Sequence, residues 1–244
     1  MERIARVDGR RDRLWRTIAE WAEPRGERPG WAQEICVETV AGFRGVDAAM
    51  LTLWTKAERA QEILGASEDW AARVVETQYT VGEGPGVEAL RGGGRVLVPD
   101  LRVEQVRWPG FAEEALGAGV AAMFAFPLRF GAIRIGTFEL LRRAPGALAG
   151  EELTDAALAA DLIAAGLLRQ AERAERAGED FEPRLVTSFE DVNVATGMLA
   201  ARLQIGLEEA FARLRGHAFG QGRSVLEVAR DVIDRRIALD ELTE

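Results

Sequence analysis

Apolar residues near the start of the chain fall at Ile4, Val7, Leu14, Ile18 and Trp21, in alternating steps of three and four with Arg11 in the one polar slot. That spacing predicts an amphipathic helix with a narrow seam over residues 1–23. Pro24, Gly26, Pro29 and Gly30 interrupt the pattern, and from Trp31 it changes character. Ala48–Trp54 and Arg95–Val98 are short apolar runs suited to buried strands, and Phe124–Arg129 with Ile133–Leu141 reads as a strand pair across Gly131. Helical patterns at Gln33–Ala41 and Glu68–Glu76 lie between the strand candidates. The order predicts an α+β domain over 31–150, an antiparallel sheet flanked by helices.

Leu153, Ala157, Ala160, Ala164, Leu167, Ala171 and Ala174 then form an unbroken four-three repeat, the spacing of a coiled-coil seam. A coiled-coil linker helix is expected over 151–177. Alanine at most seam positions buries little area, so the helix needs a close partner, either the N-terminal helix or a second subunit. Pairing between subunits, and hence a homodimer, is the expectation; the alternative is an ordinary helix packed on its own sheet.

Beyond Gly178 and Pro183 the pattern predicts an all-α bundle of three helices over 185–240. Ser188 with Asp191 reads as a cap for the first, whose apolar face is Val192, Ala195, Leu199 and Leu203 and whose stop is Gly206. Leu207, Ala210, Phe211, Leu214 and Ala218 give the second helix its inward face, and Gly220 and Gly222 end it. Ser224 and Glu227 make a capping box for the third, with Val225, Val228, Ala229 and Val232 inward.

Candidate chemistry is sparse. Cys36 is the only cysteine and His217 the only histidine, which excludes an intrachain disulfide and leaves nothing for the usual zinc or nucleophile–histidine sites. No metal site and no cofactor are identified, and the chain is expected not to be an enzyme. No apolar run is long enough for a membrane span, and the arginine-rich start lacks a secretory signal, so the expected location is cytoplasmic. A net charge of −9 argues against indiscriminate polyanion binding.

Three blocks in order, Val194-Ala195-Thr196-Gly197-Met198-Leu199, Glu209-Ala210-Phe211-Ala212-Arg213-Leu214-Arg215-Gly216-His217-Ala218 and Leu226-Glu227-Val228-Ala229-Arg230-Asp231-Val232, resemble the ANTAR family. The resemblance implies a three-helix module that binds paired hairpins in a leader transcript and prevents a terminator from forming. Upstream, Gln78-Tyr79-Thr80-Val81-Gly82-Glu83-Gly84-Pro85-Gly86, Val98-Pro99-Asp100-Leu101, Arg107-Trp108-Pro109-Gly110-Phe111, Phe126-Pro127-Leu128 and Ile135-Gly136-Thr137-Phe138-Glu139-Leu140 resemble a GAF domain. That resemblance implies a cytosolic sensor and dimerisation module.

Together they imply signal-responsive, RNA-binding transcription regulation by antitermination. The expected RNA contacts are Arg202, Arg213, Arg215, His217 and Arg223, with Thr196 offering a hydroxyl where many relatives carry a basic residue. The alternative is a dimeric signalling module whose C-terminal bundle binds a protein partner. Phe189, Phe211 and Phe219 are expected in the core rather than as base-stacking platforms. Gly82–Gly86 lacks the Lys-Ser/Thr of a phosphate loop and reads as a structural turn. Gly86 stands where related sensors commonly have cysteine, and Cys36 reads as a buried structural thiol, so any small ligand is expected to bind noncovalently.

Overall fold

The computed structural model describes residues 2–22, 30–54, 61–179, 181, 183, 185 and 187–242. The helix breakers Pro24, Gly26 and Pro29, and Lys56, lie outside them.

Five strands form one antiparallel sheet in the order β2 (Gln61–Ala66), β1 (Ala48–Trp54), β5 (Ile133–Arg142), β4 (Ala122–Phe130), β3 (Val96–Val98). The central strands are covered on both faces, and their alternate residues enter two different cores. Ala48 and Met50 of β1 and Met123 and Ala125 of β4 join one, while Ala49 and Leu51, and Phe124, Phe126 and Leu128, join the other. Burial on both sides is why these strands read as continuous apolar runs. The second core is closed by α1 (Glu2–Ala22), α2 (Trp31–Gly42) and α6 (Gly150–Ala177).

The opposite face carries α3 (Asp69–Val81), α4 (Pro85–Gly92) and α5 (Pro109–Gly117). Neither α4 nor α5 is among the sequence expectations, nor is β2. Both helices open on a proline at their first position, where a missing N–H costs nothing. Gly82 and Gly84, at φ 72° and 130°, turn the chain between α3 and α4.

In α1, Leu14, Ile18 and Trp21 are buried, and Trp21 stacks on Trp31 at the start of α2 with ring centroids 3.9 Å apart. Arg11, in the polar slot of the seam, ion-pairs with Glu151 and Asp155 of α6. The seam of α6 corrects the expectation of intersubunit pairing. Ala160, Ala164 and Leu167 are buried within the chain, together with Ala156, Ala159 and Ile163, against α1 and β4. The added alanines and Ile163 widen the stripe beyond a two-residue seam, giving an ordinary helix packed on its own sheet.

The C-terminal bundle comprises α7 (Glu190–Leu203), α8 (Leu207–Gly220) and α9 (Val225–Ile233). Ser224 and Glu227 form the expected capping box of α9, and Val225, Val228, Ala229 and Val232 are buried. Three details differ from expectation. Ser188 is not the cap of α7, which starts after Phe189; its hydroxyl accepts from Glu190 N–H and donates to Glu62 of β2. Gln204 in the left-handed region, φ 55°, ends α7, and Gly206 instead precedes α8. Leu207 is exposed because it is the first residue of α8, beyond the packed part of the bundle. A short 3-10 turn, Leu239–Leu242, closes the bundle with Leu242 buried.

Candidate nucleic-acid interface

Helix α8 has three faces. Ala210, Leu214 and Ala218, spaced by four, are buried in the bundle. Glu209, Arg213 and His217, also spaced by four, lie on the outer side, where Arg213 pairs with Glu209 at 2.7 Å. Nε2 of His217 is 2.9 Å from the Gln221 amide, and Arg223 reaches the same Gln221 at 3.4 Å. His217 and Arg223 thus meet on Gln221 just past the end of α8, with Arg213 one turn before His217 on the same flank. Arg223 also pairs with Asp231 at 2.5 Å. Arg202 stands apart, paired with Asp240 of the closing turn.

The third stripe, Phe211, Arg215 and Phe219, turns toward α3 of the sensor domain, with Phe211 and Arg215 packed against it. The Phe211 ring lies 5.5 Å from that of Tyr79 in α3, and Tyr79 lies 4.6 Å from Phe189. Arg215 donates from Nε to the Thr80 carbonyl at 2.6 Å, with its guanidinium over Phe211. Burial at this seat, together with the nearby Arg91, pushes the guanidinium pKa down, against the pull of Tyr79 and Glu83. The expectation that Arg215 flanks an outer RNA stripe is therefore corrected: a residue two places from Arg213 turns to the opposite side of the helix. Thr196 is also corrected. It is buried, and its hydroxyl donates to the Val192 carbonyl at 2.6 Å. Of the phenylalanines, Phe189 is fully buried as expected, whereas Phe219 is 53% exposed at the end of its stripe.

Further contacts bind the bundle to the sheet. Val225 N–H, at the start of α9, donates to Thr80 Oγ1 at 3.1 Å. Glu62 accepts from Phe189 N–H at 3.2 Å, and Ile63 of β2 exchanges both backbone hydrogen bonds with Thr187. Buried residues of α3, the sheet and all three bundle helices form one apolar cluster. A cavity of about 240 Å³ lies along this junction, lined by Arg73, Glu76, Thr80, Phe219 and Arg223 among others.

Inside the sensor domain a buried polar chain runs from β1 to α4. Thr52 and Thr137 hydroxyls are 2.7 Å apart, Thr137 donates to Glu139 at 2.6 Å, Gln78 donates to Glu139 at 2.8 Å, and Gly86 N–H donates to Gln78 at 2.7 Å. Gly86 has no room for a side chain, since a Cβ there would meet Glu139 Oε1 at 2.4 Å. Burial raises the Glu139 carboxyl pKa above the ordinary carboxylate range despite its two donors. Cys36 is buried as well, its thiol donating to the Gly65 carbonyl, and its pKa is raised by the same cause.

The raised pKa of Glu139 makes stability depend on pH. A carboxyl with a folded pKa above its unfolded one contributes stability below the unfolded value, and loses it as pH rises through the folded value. Glu139→Gln, with the amide oxygen toward Gln78 and the NH2 toward Thr137, reproduces the protonated acid. Its melting temperature is expected to gain on wild type progressively as pH rises from the carboxylate range towards 8. Parallel pH profiles for the two proteins would show that Glu139 does not ionise on unfolding.

Residues 187–233 match the family model of the ANTAR domain. The sheet and its helices have the fold of GAF domains. A GAF domain of a phosphoenolpyruvate-protein phosphotransferase from Coxiella burnetii is 15% identical over 68% of this chain and 96% of that one, with a TM-score of 0.52. The phycocyanobilin-bound GAF domain of a cyanobacterial phytochrome is 12% identical over 67% and 96%, with a TM-score of 0.51. The GAF domain of an Acinetobacter phosphoenolpyruvate-protein phosphotransferase is 10% identical over 66% and 93%, with a TM-score of 0.50. At these identities the likeness is one of fold. No curated protein matches the chain. The chain thus joins a GAF-like fold to an ANTAR domain.

Proposed function

We propose that this chain is a cytoplasmic, signal-responsive regulator that binds hairpin RNA of a leader transcript through its ANTAR domain and acts by transcription antitermination. The observation that carries the reading is the ANTAR match over 187–233, and Arg213 and His217 of α8, with Arg223 just beyond it, supply groups suited to phosphate. The GAF-like domain is the sensing part and takes its small ligand or signal noncovalently. The chain is not an enzyme in this reading: Cys36 and His217 are its lone members of their kinds, and Cys36 is buried with a raised pKa. No helix among the described residues is long and apolar enough to cross a membrane. A homodimer belongs to the same proposal. With Ala164 and Leu167 used inside the chain, Leu158 and Leu162, 47% and 36% exposed, are the apolar residues α6 offers to a second copy.

The test is the affinity of the full chain for RNA of two tandem hairpins, followed against salt. Release of counterions from neutralised phosphates gives a steep negative slope of log affinity on log salt. Arg213→Ala/Arg223→Ala is expected to flatten that slope by roughly one unit per lost contact. Absence of RNA binding at every salt concentration would favour a protein partner for the bundle.

A further inference from the structure

We infer that the structure is a closed form in which the last turn of α3 holds Phe211 and Arg215 of the ANTAR domain away from RNA, so that opening this junction is what regulates binding. The inference rests on the RNA reading above and adds its regulation.

Arginine is the residue best suited to phosphate, yet Arg215 is spent on a neutral backbone carbonyl, at 2.6 Å from Thr80. The seat that accepts it is built for close approach. Gly82 ends α3 in the left-handed region at φ 72°, and a Cβ on it would lie 1.8 Å from Arg215 Nη2. Thr80 contributes twice, its carbonyl to Arg215 and its hydroxyl to Val225 N–H at the start of α9. One turn of one sensor helix therefore grips two of the three bundle helices.

The same turn is tied to the sensor interior. Gln78, two residues before Thr80, is fully buried and spans Glu139 on β5 and Gly86 on α4. A change inside the sensor that displaces Gln78 must displace the carbonyl and hydroxyl of Thr80, because all belong to one rigid helical turn. The closed and open forms then differ in their affinity for RNA, which is the condition for coupling.

Two variants test this without touching the outer arginines. Gly82→Asn retains a residue tolerant of the left-handed region but places a Cβ where Arg215 sits. Ile63→Cys/Thr187→Cys joins a hydrogen-bonded antiparallel pair, whose Cα atoms stand about 5.5 Å apart, within disulfide range. The probe is a pool of two-hairpin RNAs with randomised loops, and small-angle scattering reports opening. Gly82→Asn is expected to expand the protein and tighten RNA binding by about 5–150-fold. The oxidised cysteine pair is expected to bind more weakly than its reduced form. Expansion with unchanged affinity, or equal binding by oxidised and reduced protein, would overturn the gate, and so would no expansion at all. Expansion with no RNA retained by either protein would instead overturn the RNA reading beneath it.

Discussion

Phe189→Ala is expected to lower stability by about 3–5 kcal/mol, the range for removing a fully buried phenylalanine, and to split the thermal unfolding of the chain into two transitions. Phe189 is 0% exposed and its ring packs on Tyr79 at 4.6 Å, so it stands where the sensor core becomes the bundle core. Because one apolar cluster runs from β1 and α3 into α7, α8 and α9, the wild-type chain is expected to melt as one unit. The cavity left by alanine falls on the join and weakens it more than either side. Calorimetry checks this: a variant that still melts in a single transition with an unchanged midpoint would show that Phe189 does not carry the join, and two transitions in the wild type would show that the two parts do not share a core.

Gly166→Leu is expected to detach α1 from the rest of the chain. A Cβ at Gly166 would lie 2.3 Å from Trp21 Cη2 and Cζ3. The Trp21 ring has little freedom to shift, because Trp31 stacks on it with planes 15° apart. Overpacking alone costs about 1–3 kcal/mol, and the escape route is to release the helix that carries Leu14, Ile18 and Trp21. Trypsin is then expected to cleave rapidly at Arg11, Arg13 and Arg16, which are protected to the extent that α1 stays helical and docked. Cleavage at the wild-type rate would mean that the α1–α6 crossing relaxes without separating.

Legibility in the sequence follows burial. β1, β4 and β5 are apolar on both faces and stand out as runs, while β2 begins Gln-Glu and has only Ile-Leu at its centre, too little to separate it from a loop. α4 and α5, eight and nine residues long, are shorter than the window over which a helical period can be recognised. In α8 the periodicity was informative but ambiguous. Two stripes run side by side, Ala210–Leu214–Ala218 and Phe211–Arg215–Phe219, and spacing alone merges Phe211 with the first. The arginine between two phenylalanines at steps of four was the available signal that the second stripe has a partner of its own. Arg213 and His217 were legible as a pair because they share one flank of the helix, on the opposite side of the Ala210–Leu214–Ala218 stripe from Arg215. The destination of Arg215 was not, since Gly82 lies more than a hundred residues earlier in the chain.

Glu62 has a consequence for anyone who would isolate the RNA-binding part. The segment that opens the bundle is held from outside it: Phe189 offers the helix no side-chain acceptor, Ser188 Oγ accepts from Glu190 N–H, and the carboxylate of β2 receives both Phe189 N–H and the Ser188 hydroxyl. A fragment cut at the family boundary, 187–233, parts α7 from this borrowed carboxylate and from Tyr79, and also discards the 239–242 turn that covers the bundle's far end. Such a fragment keeps the Ser188 hydroxyl on Glu190 N–H but loses the carboxylate that fixes Ser188 and Phe189, and its loss of helicity would be a property of the scissors rather than of the domain.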